Sequence, residues 1–282
     1  MAKPEASASN RPFPLASGTG GLMAALVTGG SVGLGLALAR ELADHGCTVL
    51  ICARTQADLD AATTADPRLI AIRADVSQAA EREHLMAEAE RLAGHPLDLL
   101  VNNAAIVRAH DYASAFTLAE DRAAPEIATN LAAPIDLARL FLRARHGRVD
   151  SPGAILNVST PGAFFPLDAN PLYCATKAAF HMFTLSLRRH LAGGPVRVFE
   201  VFPPALDTRL ADQLVVASQA ANGQQVIDAV ARETVAGLLA GEETILPHEQ
   251  SRALIAMFPQ LDMAMVDAVN RGVERRPGWD SE

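Results

Sequence analysis

The most informative stretch of the chain reads Ala24-Ala25-Leu26-Val27-Thr28-Gly29-Gly30-Ser31-Val32-Gly33-Leu34-Gly35. Its first four residues form a short apolar run, which is typical of a buried strand. The glycine-rich segment then opens a helical pattern over residues 32–45, and Gly46 ends that pattern. A glycine-rich loop between a strand and a helix can hold a phosphate group at the helix N-terminus. A plain tight turn would also need glycine, so both interpretations stay open at this point.

Strand and helix patterns alternate after this stretch. Apolar runs predict further strands over residues 48–52, 69–73, 97–101, 154–158 and 196–202. Helical periodicity lies between them, over residues 58–64, 79–92, 126–144 and 174–190. This alternation predicts an α/β fold of the Rossmann type, which is a doubly wound parallel sheet with helices on both faces. Ligands of such sheets bind beyond the carboxyl ends of the strands.

One domain is the simplest organisation for 282 residues. We expect a flexible N-terminal tail over residues 1–22, which are rich in Pro, Ser, Ala and Gly, a folded domain over 23–272 and a C-terminal tail over 273–282. Helical segments over 208–221 and 226–239 are expected to form a substrate lid, residues 208–240. A short strand is expected over 243–246 and a last helix over 249–272.

The composition limits the classes of partner. A formal net charge of −8 and a pI near 5.5 argue against a nucleic-acid partner held by phosphate contacts. No apolar run approaches the roughly 18 residues that a membrane span needs, so we expect a cytoplasmic protein without a membrane partner. The three cysteines have no metal-type spacing and cannot all pair, which fits a reducing compartment and predicts no metal site.

Tyr173 and Lys177 are four residues apart in a helical pattern, so their side chains share one helix face. A phenol titrates near pH ~10 and needs a nearby positive charge to exchange its proton near neutrality. Such a pair alone is more often a solvated helix pair. Its occurrence together with the glycine-rich loop indicates proton transfer beside a dinucleotide, and hence redox chemistry.

Several motifs occur in one order along the chain. They are Thr28 to Gly35, Asp75, Asn102-Asn103-Ala104, Asn130, Asn157-Val158-Ser159-Thr160, Tyr173 to Lys177, and Pro203 to Thr208. This array resembles the short-chain dehydrogenase/reductase family in its single-domain form, over roughly residues 23–250. Within the family it is most similar to a branch of bacterial oxidoreductases found with teichoic-acid D-alanylation genes.

The resemblance implies a role for each catalytic residue. Tyr173 would act as the general acid in reduction and as the base in the reverse reaction, while Lys177 would lower its pKa and hold the nicotinamide ribose. Asn130 would help to hold a water of a proton relay, or it is a helix-interior Asn bound to a neighbouring carbonyl. Thr160 stands thirteen residues before the tyrosine, where the family has Ser, and would polarise the substrate oxygen, with Ser159 as the alternative.

The resemblance also implies a nicotinamide cofactor, held by residues at the strand ends. These are Thr28, Gly29, Gly30, Ser31, Gly33, Gly35, Asp75, Val76, Asn102, Ala104, Tyr173, Lys177, Pro203 and Thr208. Asp75 could instead cap a helix or a turn. The chain departs from the family pattern at Ala105 and Pro204, where Gly is usual, but neither change removes a chemical group.

The end of the second strand predicts which cofactor is used. NAD is favoured by a carboxylate at this place, whereas NADP is favoured by its absence and by a cation for the 2′-phosphate. The segment reads Ala53-Arg54-Thr55. Arg54 can pair with a phosphate, so NADP is favoured over NAD, unless this arginine is only a solvated loop residue.

These observations predict an NADP-dependent carbonyl reductase or alcohol dehydrogenase that acts on a small ketone, aldehyde or alcohol. The alternative is a non-catalytic NADP-binding sensor on the same fold. A larger epimerase or dehydratase would need a longer region after Pro204. The family resemblance further implies a homo-dimer or homo-tetramer that associates through the helices over 126–144 and 174–190.

Overall fold

The structure is a computed structural model that describes residues 12–13, 23–108, 123–147, 151–167, 170–206, 208 and 223–257. Seven strands lie within these ranges. Their bounds are β1 (Ala24–Thr28), β2 (Thr48–Ala53), β3 (Leu69–Arg73), β4 (Leu99–Asn102), β5 (Gly153–Val158), β6 (Val196–Val201) and β7 (Thr244–Ile245).

Helices connect the strands and cover the sheet. Their bounds are α1 (Gly33–Asp44), α2 (Gln56–Ala65), α3 (Ala79–Ala93), α4 (Ala123–Ile127), α5 (Ala133–Ala144), α6 (Pro171–His190), α7 (Gln224–Ala240) and α8 (Glu249–Ala256). A π-helical segment, Ala128–Ala132, joins α4 to α5, so the helix predicted over 126–144 contains one irregular turn. Among the helices described here, none has both the length and the apolar character needed to cross a bilayer.

The strands form one sheet in the order β3-β2-β1-β4-β5-β6-β7. All neighbouring pairs are parallel. The strand order reverses between β1 and β4, and the crevice at such a reversal is where open α/β sheets bind ligands. The doubly wound parallel sheet predicted from the sequence is therefore confirmed.

The core lies on both faces of the sheet. All five residues of β1 are buried, and they alternate between the two faces. Ala25 and Val27 pack in the cluster that includes α1 and α7, whereas Ala24 and Leu26 pack in the cluster that includes α3 and α5. Because helices cover both faces, the central strands are continuous apolar runs, and this is why the sequence identified them.

Phe13 departs from the prediction of a flexible tail over residues 1–22. Its side chain is 2% exposed, and its N–H donates to the carbonyl of Leu239 at 3.0 Å. The ring lies 5.9 Å from the ring of Phe199, centroid to centroid, in an edge-to-face arrangement. The prediction is wrong at this position because an aromatic ring contributes enough burial to fix a short segment on the core. Residues 1–11 and 14–22 lie outside the described part of the chain.

The helix predicted over 226–239 is present as α7, but it does not form a lid. It packs along α1, and Ile227, Val230 and Leu238 belong to the same core cluster as the residues of that helix. The prediction of a lid over 208–240 is therefore wrong for α7, because its apolar face covers the sheet. Residues 209–222, 258–272 and the predicted tail over 273–282 lie outside the described residues.

Candidate active site

A cavity of about 600 Å³ opens at the carboxyl ends of the strands. This is the edge at which ligands of such sheets bind, and the volume lies in the range of ligand pockets. Most of the residues predicted from the sequence line it. They are Gly29, Ser31, Gly33, Gly35, Arg54, Asp75, Val76, Ala104, Thr160, Tyr173, Lys177, Pro203 and Thr208.

The other four predicted residues, Thr28, Gly30, Asn102 and Asn130, do not line this cavity. Thr28 is buried, and its Oγ1 donates to the carbonyl of Val101 at 3.1 Å. The same oxygen accepts the N–H groups of Asn103 and Ala104, at 3.0 and 3.1 Å. Thr28 therefore fixes the start of the glycine-rich loop against the end of β4, which shapes the cavity from behind.

Glycine is required in the loop for conformation and for close approach. Gly29 and Gly33 have φ values of +65° and +55°, a region that other residues rarely adopt. A Cβ on Gly35 would collide with the carbonyl oxygen of Gly29, and a Cβ on Gly30 would lie 2.7 Å from the side chain of Ile51. The loop thus closes tightly before α1, and its backbone can approach a pyrophosphate. These residues fit a dinucleotide.

Tyr173 and Lys177 lie in the first two turns of α6, which begins at Pro171. Proline is favoured at a helix start because its missing N–H has no partner to lose there. Tyr173 is 5% exposed and Lys177 is 3% exposed, and both line the cavity. The Nζ of Lys177 donates to the carbonyl of Val158 at 2.8 Å and lies 5.9 Å from the centre of the Tyr173 ring.

The pKa values of this pair differ from the sequence prediction. Burial lowers the pKa of Lys177 to about 8, and the negative charge of Glu200 opposes this effect. Burial also raises the pKa of Tyr173, with smaller contributions from Cys174 and Glu126. For Tyr173, desolvation of the phenol therefore outweighs the lowering of the pKa that Lys177 was predicted to cause. A protonated phenol is the form that donates a proton.

Asn130 lies in the π-helical segment and is 1% exposed. Its Oδ1 accepts the N–H of Ile106 at 2.9 Å, and its Nδ2 donates to the carbonyl of Ile106 at 2.8 Å. The side chain therefore ties the helix to the segment after β4, as the alternative interpretation expected. Its backbone carbonyl cannot accept the usual α-helical hydrogen bond, because Pro134, four residues later, has no N–H.

A second, much smaller space of about 10 Å³ adjoins this asparagine and Lys177. That volume suits about one water molecule. The buried Oδ1 of Asn102, which also adjoins the space, has no hydrogen-bond partner among the described residues. A water at this place would have polar neighbours on several sides. The proton relay suggested for Asn130 stays a prediction, and the relay would use the backbone carbonyl of this residue.

Thr160 and Ser159 both line the cavity, but their hydroxyls differ. The Oγ1 of Thr160 accepts the N–H of Gly162 at 3.3 Å, at the start of a short 3₁₀ turn. A hydroxyl that accepts in this way can still donate its own proton to another oxygen. The Oγ of Ser159 is buried and has no hydrogen-bond partner in the described part of the chain.

Asp75, Val76 and Asn102 were all predicted at strand ends. Asp75 lines the cavity and its Oδ1 also accepts the N–H of Ser77 at 2.9 Å, so it has both a turn role and access to a ligand. Asn102 is buried instead, and its Nδ2 donates to Oδ1 of Asn157 at 2.9 Å. Asn103, which belongs to the same motif but was not predicted to bind the cofactor, lines the cavity in its place.

Arg54 is exposed and lies at the cavity rim together with Ala53 and Thr55. Asp58, on the first turn of α2, also lines this part of the cavity. The rim therefore offers a cation and a hydroxyl at the end of β2, as predicted, and a carboxylate one helical turn farther along. That carboxylate was missed because it follows the strand end by five residues.

The far wall of the cavity contains residues that no motif identified. They are Phe165 and Leu167 after the 3₁₀ turn, and Gln250 and Leu254 on α8. These side chains are mostly apolar, with one amide. The sequence does not identify these residues as cavity-lining, because the pattern of α8 indicates only an amphipathic helix.

Comparison with known proteins agrees with this geometry. The sequence model of the family described as short chain dehydrogenase matches residues 23–219. DltE of Bacillus subtilis (strain 168), named as an uncharacterized oxidoreductase, is 41% identical over 187 residues, which are 66% of this chain and 72% of that protein. The chain belongs to the short-chain dehydrogenase/reductase family. Its similarity to DltE also agrees with the branch expected from the sequence.

Other relatives extend the comparison. Human L-xylulose reductase is 31% identical over 185 residues, which are 66% of this chain and 72% of that enzyme. A short-chain dehydrogenase from Sphingobium yanoikuyae, solved in complex with NADPH, has a TM-score of 0.71 and 21% identity, covering 93% of this chain and 100% of that one. One from Burkholderia phymatum, solved in complex with NAD, has a TM-score of 0.73 and 21% identity, covering 90% and 97%. These two structures establish the shared fold.

Proposed function

We propose that this chain is an NADP-dependent carbonyl reductase that also acts in reverse as an alcohol dehydrogenase. The observation that carries the proposal is that Tyr173, Lys177 and Thr160 line the same cavity as the glycine-rich loop. A proton donor, a cation and a polarising hydroxyl thus lie beside a dinucleotide cradle. That is the set of groups that carbonyl reduction needs.

Specific residues would hold the cofactor. The loop from Gly29 to Gly35 would hold the pyrophosphate, Asp75 and Val76 would contact the adenine, and Lys177 would bind the nicotinamide ribose. When bound, the nicotinamide supplies the hydride for reduction.

The protein provides the proton. Tyr173 would donate the proton of its hydroxyl to the substrate carbonyl oxygen, and Thr160 would donate a hydrogen bond to the same oxygen. Lys177 would stabilise the phenolate that remains. A water bound to the backbone carbonyl of Asn130 would then return a proton. Burial raises the pKa of Tyr173, which keeps on the hydroxyl the proton that it would donate in reduction.

The proposal includes NADP in preference to NAD. It is supported by Arg54 at the cavity rim and by Ala53, which places no carboxylate at the end of β2. We expect kcat/KM to be higher with NADPH than with NADH. Arg54→Ala should reduce the preference for NADPH, which is kcat/KM with NADPH divided by kcat/KM with NADH, about tenfold. That is the effect of losing about one charge-assisted hydrogen bond. A ratio unchanged by the substitution, or a preference for NADH, would contradict this part of the proposal.

The experiment that tests the activity is a panel of ketones and aldehydes with NADPH, followed by the loss of its absorbance. The panel should include apolar and aromatic ketones, because Phe165, Leu167 and Leu254 line the cavity. It should also include xylulose, because one relative is named L-xylulose reductase. Tyr173→Phe is the control and should bind NADPH normally without turnover. NADPH binding by the unmodified chain with no turnover across the panel would favour the non-catalytic sensor.

We further propose that the protein acts in the cytoplasm as a homo-dimer or homo-tetramer. Support comes from two large apolar residues that are exposed on the helices expected to associate: Ile127 at the end of α4, 41% exposed, and Met182 on α6, 51% exposed. Light scattering coupled to gel filtration measures the mass directly. A monomer of 29.7 kDa at micromolar concentration would contradict this proposal.

A further inference from the structure

A glutamate lies within a buried strand. Glu200, on β6, is 0% exposed, although strands of a covered parallel sheet are normally apolar. Its Oε2 is 2.8 Å from Nδ1 of His181, and its Oε1 is buried with no hydrogen-bond partner among the residues that the structure describes. An unpaired carboxylate oxygen in the core destabilises a fold. Stability alone therefore does not account for Glu200.

His181 belongs to a face of α6 that is directed at the sheet. Lys177, His181 and Arg188 are four and seven residues apart, so they lie on one side of the helix. Lys177 donates to the carbonyl of Val158 at 2.8 Å, and Nε of Arg188 donates to the carbonyl of Val198 at 2.9 Å. The side chains of Lys177 and Arg188 thus bind α6 to β5 and β6. His181, which lies between them on the same face, contacts Glu200.

The ring of His181 also supports the cavity. It lies 4.7 Å from the ring of Phe164 and 5.5 Å from the ring of Phe202, centroid to centroid. Phe164 follows the 3₁₀ turn after Thr160, and Phe202 precedes Pro203, which lines the cavity. From its place on α6, His181 therefore connects Glu200 to two segments of the cavity wall.

The charge of Glu200 acts on Lys177. Burial lowers the pKa of Lys177 to about 8, and the negative charge of Glu200 is the opposing contribution that raises it. Tyr173 lies beside Lys177, and Glu126 on α4 acts on Tyr173 in turn. Glu200 also acts on Arg188 of α6, which forms an ion pair with Glu243 beside β7. Glu243 acts on Arg188 and Arg197.

We propose that Glu200 is a positioning residue for the proposed reduction, held by His181 so that its carboxylate stabilises the ammonium of Lys177 beside Tyr173. The catalytic meaning of this inference rests on the proposed function. Its electrostatic part does not, because the charge of Lys177 can be observed without any substrate.

The first test observes Lys177 directly. The chain has only two lysines, Lys3 and Lys177, so ¹³C-lysine labelling gives two ε-carbon signals whose titration can be followed by NMR. Glu200→Gln should lower the titration midpoint of Lys177 by about one pH unit, because a nearby opposite charge has been removed. Glu243→Gln is the matched control and should leave that midpoint unchanged. An unshifted midpoint in Glu200→Gln would overturn the proposal.

The second test uses the best substrate of the panel. Glu200→Gln should lose about fivefold in kcat/KM at pH 8 and less than about twofold at pH 6, where Lys177 stays charged. An equal loss at both pH values would indicate a purely structural role. If the panel yields no substrate, the proposed function fails while the NMR titration still decides this inference.

A further variant guards against a folding defect. Glu200→Met removes the charge and the unpaired oxygen together, and it should give the same downward shift of the Lys177 midpoint. If neither variant folds, as judged by circular dichroism and NMR dispersion, the carboxylate serves the fold and the proposal is overturned.

Discussion

Lys177 offers a quantitative test of the site in the unmodified protein. Its side chain is 3% exposed, and burial lowers its pKa to about 8, well below the ordinary value for a lysine. By this value, about nine-tenths of the molecules carry the Lys177 charge at pH 7 and about one-tenth at pH 9. Arginine could not give such a change, because its guanidinium stays charged throughout this range.

Two measurements follow from this titration. In the ¹³C-lysine NMR experiment, the Lys177 signal should change with a midpoint near pH 8, while Lys3, the other lysine, serves as an internal reference. In the kinetic experiment, kcat/KM for carbonyl reduction should be nearly constant below about pH 7 and should fall about tenfold per pH unit above the midpoint. Denaturation at high pH is excluded by circular dichroism at each point.

The sign of the kinetic effect follows from the role of Lys177. Its ammonium stabilises the phenolate that remains after proton donation, so the reaction needs the charged form, which is present below the midpoint. A Lys177 signal that titrates near pH 10, or a rate that stays constant to pH 10, would refute the reasoning. The first result would mean that the ammonium is well solvated, and the second that its charge is not needed.

Three further predictions concern the loop, the hydroxyls and the N-terminal segment. Thr160→Ala should lower kcat by about 10²- to 10³-fold, whereas Thr160→Ser should retain most activity. Ser159→Ala should change kcat little. A larger loss in Ser159→Ala than in Thr160→Ala would make Ser159 the residue that polarises the substrate. Gly35→Ala should weaken NADPH binding more than tenfold by calorimetry, because a Cβ there meets the Gly29 carbonyl. Phe13→Ala should lower the free energy of unfolding by about 3 to 5 kcal/mol in guanidinium titrations, and an effect below 1 kcal/mol would place the ring outside the core.

The sheet and most of the cavity wall could be predicted from the sequence for one physical reason. Strands that are covered on both faces must be apolar runs, and the residues that follow them collect at one edge. The glycine-rich loop and Thr160 directly follow such runs, and Tyr173 lies at the start of the helix after Thr160. Their position in one cavity is thus a consequence of parallel strand order, without any need for long-range information.

The sequence predictions that the structure contradicts also have definite physical causes. The strand predicted over 97–101 ends one residue later, at Asn102, so that side chain stays within the sheet and Asn103 reaches the cavity. The amphipathic pattern of α7 indicates an apolar face but does not identify its partner, which is α1 rather than a ligand. Phe13 stands alone in a polar segment, and one aromatic residue gives no periodicity from which its burial could be inferred.

The electrostatics of the site show how burial changes a rule that sequence spacing suggests. A lysine one helical turn from a tyrosine favours the phenolate when both are in water, but here burial disfavours both charged forms. The pKa of Lys177 is lowered and that of Tyr173 is raised, so the uncharged phenol is the resting state. A buried negative charge at Glu200 then has a clear use, because it restores part of the stability of the ammonium. Tyr173 therefore keeps the proton that it donates, and Lys177 keeps the positive charge that stabilises the phenolate.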